Sequence, residues 1–363
     1  MVYKISDRAI ITQENGKTVL IAKQAIYEEN LEVADTLGSL NSNYFDIYFA
    51  DKYQGKVSGY VQGGISIPPY SNLNTIDKFS LSANTNATDV GDLKAIKSRS
   101  SAQKSPTHGF NSGGVTGPGV NSPHITTIEK YSFSSDGNAT SVGNLSNARS
   151  AVVGHSSATD GYSGAGYPGW GTTPTTNVID KFPFAISSGT AVRVGYLTEQ
   201  VALASGQQSD THGYYSGGDN QFGANRNDIQ KFPFVSDGNT TDVGDLTTAG
   251  YPAGAGHSSS DNGYRTGGFI NPSPTFNQDT VDYWPFASDT NAVDLGDLSQ
   301  ERVQHAGVSS TTTGYVAGGY RGPAPQPNVG VTVIEAFPFA GTFSTSDTAD
   351  LTQARAYGTG NQT

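Results

Sequence analysis

The chain has 363 residues with a formal charge of −11. It is 35% hydrophobic and carries 45 Gly, 19 Tyr, 16 Phe and 2 Trp but no Cys. The missing cysteine excludes disulfide, zinc–thiolate and thiol chemistry. An acidic chain without a Lys/Arg cluster argues against nucleic acid or an anionic membrane as partner, and no apolar run is long enough to span a bilayer.

Residues 1–55 come first and differ from everything after them. AIIT, QENGK and TVLIA read as a β-hairpin turning at Asn15-Gly16. KQAIYEENLEVADTL fits a short helix or a strand, and the alternating, aromatic NYFDIYFA fits a strand. The opening MVYKISDRAI lacks the basic-then-apolar layout of a signal peptide. So small a piece is marginal alone. It is expected to be a mainly β attachment or oligomerisation domain rather than an inert cap.

Residues 56–363 repeat. Gly59-Tyr60, Gly109-Phe110, Gly161-Tyr162, Gly213-Tyr214, Gly263-Tyr264 and Gly314-Tyr315 recur at steps of 50 to 52 residues, each followed by a small-residue doublet such as Gly63-Gly64 or Ala165-Gly166. A variable loop follows, then an alternating strand: IDKF ending at Phe79, IEKY at Tyr131, IDKF at Phe182, IQKF at Phe232, VDYW at Trp284 and IEAF at Phe337. A turn rich in Ser, Asp, Gly and Asn leads to VGDL or a variant, ending 14 or 15 residues after the aromatic. A strand of small residues closes each copy, as in Gly154–Ser157 and Gly256–Ser259. Four short strands per ~50 residues make one propeller blade, and the small-residue strand suits the crowded axis. The chain ends in ARAYGTGNQT, where an inner strand belongs, whereas Gly59-Tyr60 has no inner strand before it. Residues 355–363 are therefore expected to supply the first blade's inner strand and close the ring, leaving no open edge.

The arrangement resembles the kelch repeat. Arg149, Arg302 and Arg355 hold that repeat's basic position, with Lys97 or Arg99 in the first copy, while Val201 and Gly250 depart from it and the outer-strand Trp is missing. The resemblance implies an all-β, six-bladed kelch-like β-propeller over 56–363 behind the 1–55 domain.

Candidate sites follow from the repeat. The loops between second and third strands vary most, the Ile or Val of the third strand lying 11 to 15 residues after the last Gly of the doublet. They carry Tyr70, Tyr167, Trp170, Phe222, Arg226, Phe269, Phe276, Tyr320 and Arg321. Variable loops on a rigid scaffold are where binding usually resides. Exposed aromatics beside Asn, Ser and Thr suit sugars or a protein partner, and the competing reading tucks them under the loops as local core. The opposite face, with its Asp and Asn turns, should be acidic. His155 and His257 share one repeat position, but Gln207, Val308 and Asn361 replace them elsewhere, so no metal is expected there. Asp89/Asp92, Asp242/Asp245 and Asp294/Asp297 read as turn caps rather than calcium ligands. The sequon-like Asn86, Asn138 and Asn239 share one turn position. Neither a nucleophile–base pair nor a phosphate loop stands out, so no cofactor and no enzymatic activity are expected.

The wording GYxxGG…IDKFPF…SDGNTTDVGDL…GHSSS also resembles propeller repeats in structural proteins of tailed bacteriophages. That resemblance implies a virion component: a tail or neck fibre, or a capsid decoration, presenting the propeller for host adhesion. Residues 1–55 would bind other virion proteins, host-surface polysaccharide or a receptor would be the outward partner, and the assembled particle would hold an oligomer. A purely structural virion connector and a secreted or cell-surface lectin-like propeller are the alternatives.

Overall fold

The computed structural model describes residues 3–5, 9–14, 17–22, 25–27 and 54–363, apart from 68–69, 118–121, 170–174, 221–224, 251–253, 271–275 and 322–328. The chain divides into two compact units, Met1–Asp51 and Lys52–Thr363. In the first, Ala9–Glu14 pairs antiparallel with Lys17–Ala22, and Tyr3–Ile5 with Ala25–Tyr27. The NYFDIYFA segment and most of KQAIYEENLEVADTL lie outside the described residues.

The second unit is all-β and propeller-like, with no helix among the described residues. Most of its described strands form six four-stranded antiparallel sheets, the rest a small three-stranded sheet and a two-stranded one. Sheet I joins Thr359–Gln362, Ser58–Gln62, Thr75–Ser80 and Thr88–Asp92. Sheets II to VI are consecutive in the chain, with first strands Ser101–Lys104, Val153–Ser156, Ser205–Gln208, Ala255–Ser258 and Ala306–Ser309. The first strand of sheet I comes from the far end of the sequence: Asn361 lies opposite Tyr60, and Gln362 opposite Gly59.

Six apolar clusters each sit between two of these sheets. Tyr60, Ile76 and Leu93 of sheet I pack on Tyr131 of sheet II. Phe110, Ile128 and Leu145 pack on Phe182 in the same way, and Tyr214, Ile229 and Leu246 on Trp284. The last pair joins sheet VI to sheet I, with Tyr315, Ile334 and Leu351 in one cluster with Phe79 and Leu81. This explains the repeat wording. The Gly-Tyr tyrosine, the IDKF isoleucine and the VGDL leucine make one wall of a seam, and the next sheet's aromatic makes the other. The glycine before the tyrosine is needed because a β-carbon on Gly161 would occupy the Phe182 ring.

Polar groups stitch the same seams. The acid of each IDKF, or its Gln, accepts the backbone N–H that follows the leucine of the preceding sheet. Ser146 N donates to Asp180 (2.8 Å), Thr198 N to Gln230 (2.9 Å) and Thr352 N to Asp77 (2.9 Å). In four seams the kelch-like base joins that acid: Lys97–Glu129 (3.2 Å), Arg149–Asp180 (3.0 Å), Arg302–Glu335 (3.2 Å) and Arg355–Asp77 (2.9 Å), all buried. Lys97, not Arg99, holds the position in the first copy.

On the outer side, Asp89, Asp242 and Asp294 each accept the N–H two residues on, as turn caps do. Asn86, Asn138 and Asn239 reach across seams to accept N–H groups of Asp350, Asp92 and Tyr196. The turn acids expected to make this face acidic are partly neutralised, since Asp136 and Asp237 pair with Lys78 and Lys181 of neighbouring sheets.

The first strands line a channel of about 170 Å³. Side chains are excluded where they abut; a β-carbon on Gly256 would overlap the Gly206 carbonyl. Wherever it is polar, the third residue of these strands bridges to a neighbouring sheet. Gln103, His155 and Gln207 donate to the carbonyls of Tyr162, Tyr214 and Tyr264, and Asn361 donates to those of Gln103 and Phe110. His155 is thus a strand staple interchangeable in kind with Gln.

Burial pulls the His155 and His257 imidazoles down from 6.5 to about 4. Between those values the unfolded chain binds more protons than the fold, so stability falls as pH drops from about 6.5 to 4, by roughly 3 kcal/mol per histidine at most. A Tm–pH profile should show this loss. His155→Gln should flatten it by roughly a third at most, since burial holds His257 and His305 down as well, while leaving the neutral-pH Tm nearly unchanged.

Candidate binding site

At one end of the first strands the chain itself bonds to their last residues. Gln54 donates to the Ser258 carbonyl (3.0 Å) and accepts from the buried Lys104 ammonium (3.0 Å), and Gly55 N donates to Ser309 O (2.8 Å). The mouth at the other end is built from the links between fourth and first strands. Arg99, Ala151, Leu203, Gln304 and Tyr357 each stand two residues after the repeat's base position, and all adopt left-handed φ of 55° to 58°. Their backbones form a chain of hydrogen bonds around the rim: Tyr357 N to Gln304 O, Arg99 N to Tyr357 O, Ala151 N to Arg99 O and Leu203 N to Ala151 O. Non-glycine residues held at positive φ cost roughly 1–3 kcal/mol each, and such strain collects at ligand clamps and switches. Five copies of one geometry, however, are also what a repeated turn produces.

A depression of about 90 Å³ opens at this rim, and His305, Ala204, Gly254 and Gly358 line both it and the channel. The Arg99 guanidinium lies 4.1 Å over the Tyr357 ring. His305 is 5% exposed; Thr266 Oγ1 lies 2.9 Å from its Nε2 and 3.1 Å from His257 Nε2. Burial, with Arg302, His257 and Arg265 nearby, holds His305 well below the ordinary imidazole range, so it is neutral at pH 7.

The loop residues expected to bind are dispersed. Tyr70 is 59% exposed. Tyr167 is half-buried and donates its hydroxyl to Asp219 (2.9 Å). Arg226 is held by Asp228 and Glu199, and Arg321 donates to Gln300 (3.1 Å). Phe269 packs against a cluster of Ile65, Ile67, Val303, Tyr320 and Ala356. Tyr320 belongs to that cluster at 6% exposure, which corrects its expected role as a stacking surface. The strand pair Tyr320–Arg321 with Val329–Gly330 folds back over Val303 and buries the ring. Trp170 and Phe222 lie outside the described residues, as does the Phe276 side chain. Gln304, His305 and Tyr357 were not found from sequence. Their signal was register: each lies a fixed two or three residues after the base position, where no motif word stands.

No family model matches the chain, and no curated protein matches it. Among solved structures, one described as the structure of YjhT aligns with a TM-score of 0.64 at 11% identity, covering 82% of this chain and 98% of that one. The likeness is one of fold. At that identity it transfers no residue roles and no activity.

Proposed function

We propose that the six sheets are blades of a six-bladed kelch-like propeller whose ring is completed by the C-terminal strand, and that the protein works by binding. The ring reading is supported by the cyclic order of the seams, in which sheet VI packs on sheet I as every other sheet packs on its successor. The binding reading rests on one contrast. The repeated residues are consumed in seams, whereas the loop face and axial mouth hold what the repeat does not require: exposed Tyr70, the Arg99–Tyr357 stack and His305.

On the resemblance of the repeats to those of tailed-phage structural proteins, we place the chain in a virion, as a tail or neck fibre or a capsid decoration, anchored through residues 1–55 and adhering to host-surface glycan. Mass spectrometry and antibody labelling of purified particles test this. Label at a tail or fibre tip supports host adhesion. Label over the capsid supports a decoration protein. Absence from particles overturns the virion reading and leaves a cellular binding propeller.

A further inference from the structure

Proton bookkeeping around Thr266 fixes the state of His305. His257 Nδ1 lies 3.2 Å from the Val308 carbonyl, which only accepts, so Nδ1 carries the proton and Nε2 is bare. The Thr266 hydroxyl then donates to His257 Nε2 (3.1 Å) or to the Ala255 carbonyl (3.4 Å), both of which only accept. Its single proton spent, Thr266 can only accept from His305, so His305 carries its proton on Nε2. His305 Nδ1 is left as a buried lone pair with no donor, and Gln304 Oε1 is a second such acceptor. Both residues line the axial depression. At the position of His305 the other links carry Ser100, Val152, Ala204, Gly254 and Gly358, so the fold has no need of an imidazole there. A buried acceptor without a donor costs about 1–3 kcal/mol, which a bound donor recovers.

Charge decides which donor. Arg302 and Arg265 beside the imidazole and Arg99 on the lining repel a cation, while two lone pairs disfavour an anion. A neutral molecule with hydroxyl donors remains. We propose that the axial mouth is a subsite for one neutral monosaccharide unit, with the His305 and Gln304 side chains turning their buried acceptors, Nδ1 and Oε1, to its hydroxyls and the Arg99–Tyr357 pair flanking it. This rests on the glycan-adhesion reading and narrows it to a place and a sugar class.

The test is long-range ¹H–¹⁵N NMR of histidine-labelled protein, titrated with glucose, galactose and mannose, with glucuronate as the charged comparison. His305→Ser, which copies Ser100, assigns the resonance. The expected result is an Nε2-protonated His305 whose Nδ1 signal moves with at least one neutral hexose and less with glucuronate. Gln304→Leu should weaken that hexose at least tenfold without lowering the Tm. A silent His305 with all three hexoses means water alone occupies the mouth, and the proposal falls. If particles still bind host polysaccharide in that case, the adhesion reading survives and its site lies elsewhere. A moving His305 on particles that do not adhere keeps the subsite and removes the adhesion reading.

Discussion

Deleting Thr359–Thr363 is expected to abolish cooperative unfolding of the second unit. Thr359–Gln362 form one whole strand of sheet I, paired from Gln62 to Gly59. Without them Ser58–Gln62 becomes an open edge, and unpaired edges template aggregation. Two seams lose material as well. Asn361 no longer donates to Gln103 O and Phe110 O across to sheet II, and Gly360 no longer abuts the Gly307 carbonyl of sheet VI. Lys56 and Val57 lose the Thr363 carbonyl that receives both their N–H groups. Thermal unfolding followed by near-ultraviolet circular dichroism should change from one sharp transition to a broad slope, with oligomers growing on size exclusion. A synthetic peptide of residues 354–363 added in trans should restore the transition. A truncated chain that still unfolds sharply at the parental temperature would show that sheet I is complete without this strand.

Arg149→Val should destabilise by roughly 3–5 kcal/mol, the usual consequence of leaving a buried charge without its partner. Arg149 and Asp180 are both fully buried, and Arg149 also donates to the Ser163 carbonyl (2.8 Å). The double variant Arg149→Val with Asp180→Gln should recover most of the loss. The chain itself motivates this expectation. In the next seam the base position holds Val201 and the acid position Gln230, so both charges are absent together. Gln230 still accepts the N–H of Thr198, as Asp180 accepts that of Ser146. In the following seam Gly250 leaves Asp282 without the usual base, and burial pushes its carboxyl up, an effect that Thr247 and Arg265, the latter buried on the second strand, only partly offset. Denaturant titration of the two single variants and the double measures the coupling. If the double is as unstable as Arg149→Val alone, the seam does not accept a neutral pair.

The repeat was readable because each of its words has one physical job. Gly-Tyr, IDKF and VGDL announce a seam wall, and their spacing announces four strands. The Asp turns were readable for the same reason, since a short side chain that bonds the N–H two residues on leaves a local signature; Asn86, Asn138 and Asn239 instead accept across seams, which nothing local reports. Arg99 was not separable from Lys97, because a basic residue stands at both positions and only the buried contact with Glu129 decides. Tyr320 looked like any other loop aromatic; a residue's depth depends on how its loop folds back, which alternation cannot report. The mouth stayed hidden because its members come from several links brought together only by the packing of sheet on sheet. His305 sits beside Ala306 in sequence, yet its partner Thr266 is 39 residues earlier.

The segment Gln54–Val57 also determines how the second unit would respond to pulling. Tension on the upstream chain arrives at the end of the first strands and divides at once among hydrogen bonds to Lys104, Ser258, Ser309 and Thr363, which belong to or adjoin sheets II, V, VI and I. Load spread over four sheets resists rupture better than load that unzips one strand from one edge. A chain hauled from this point should therefore hold to a high force and then fail in a single step.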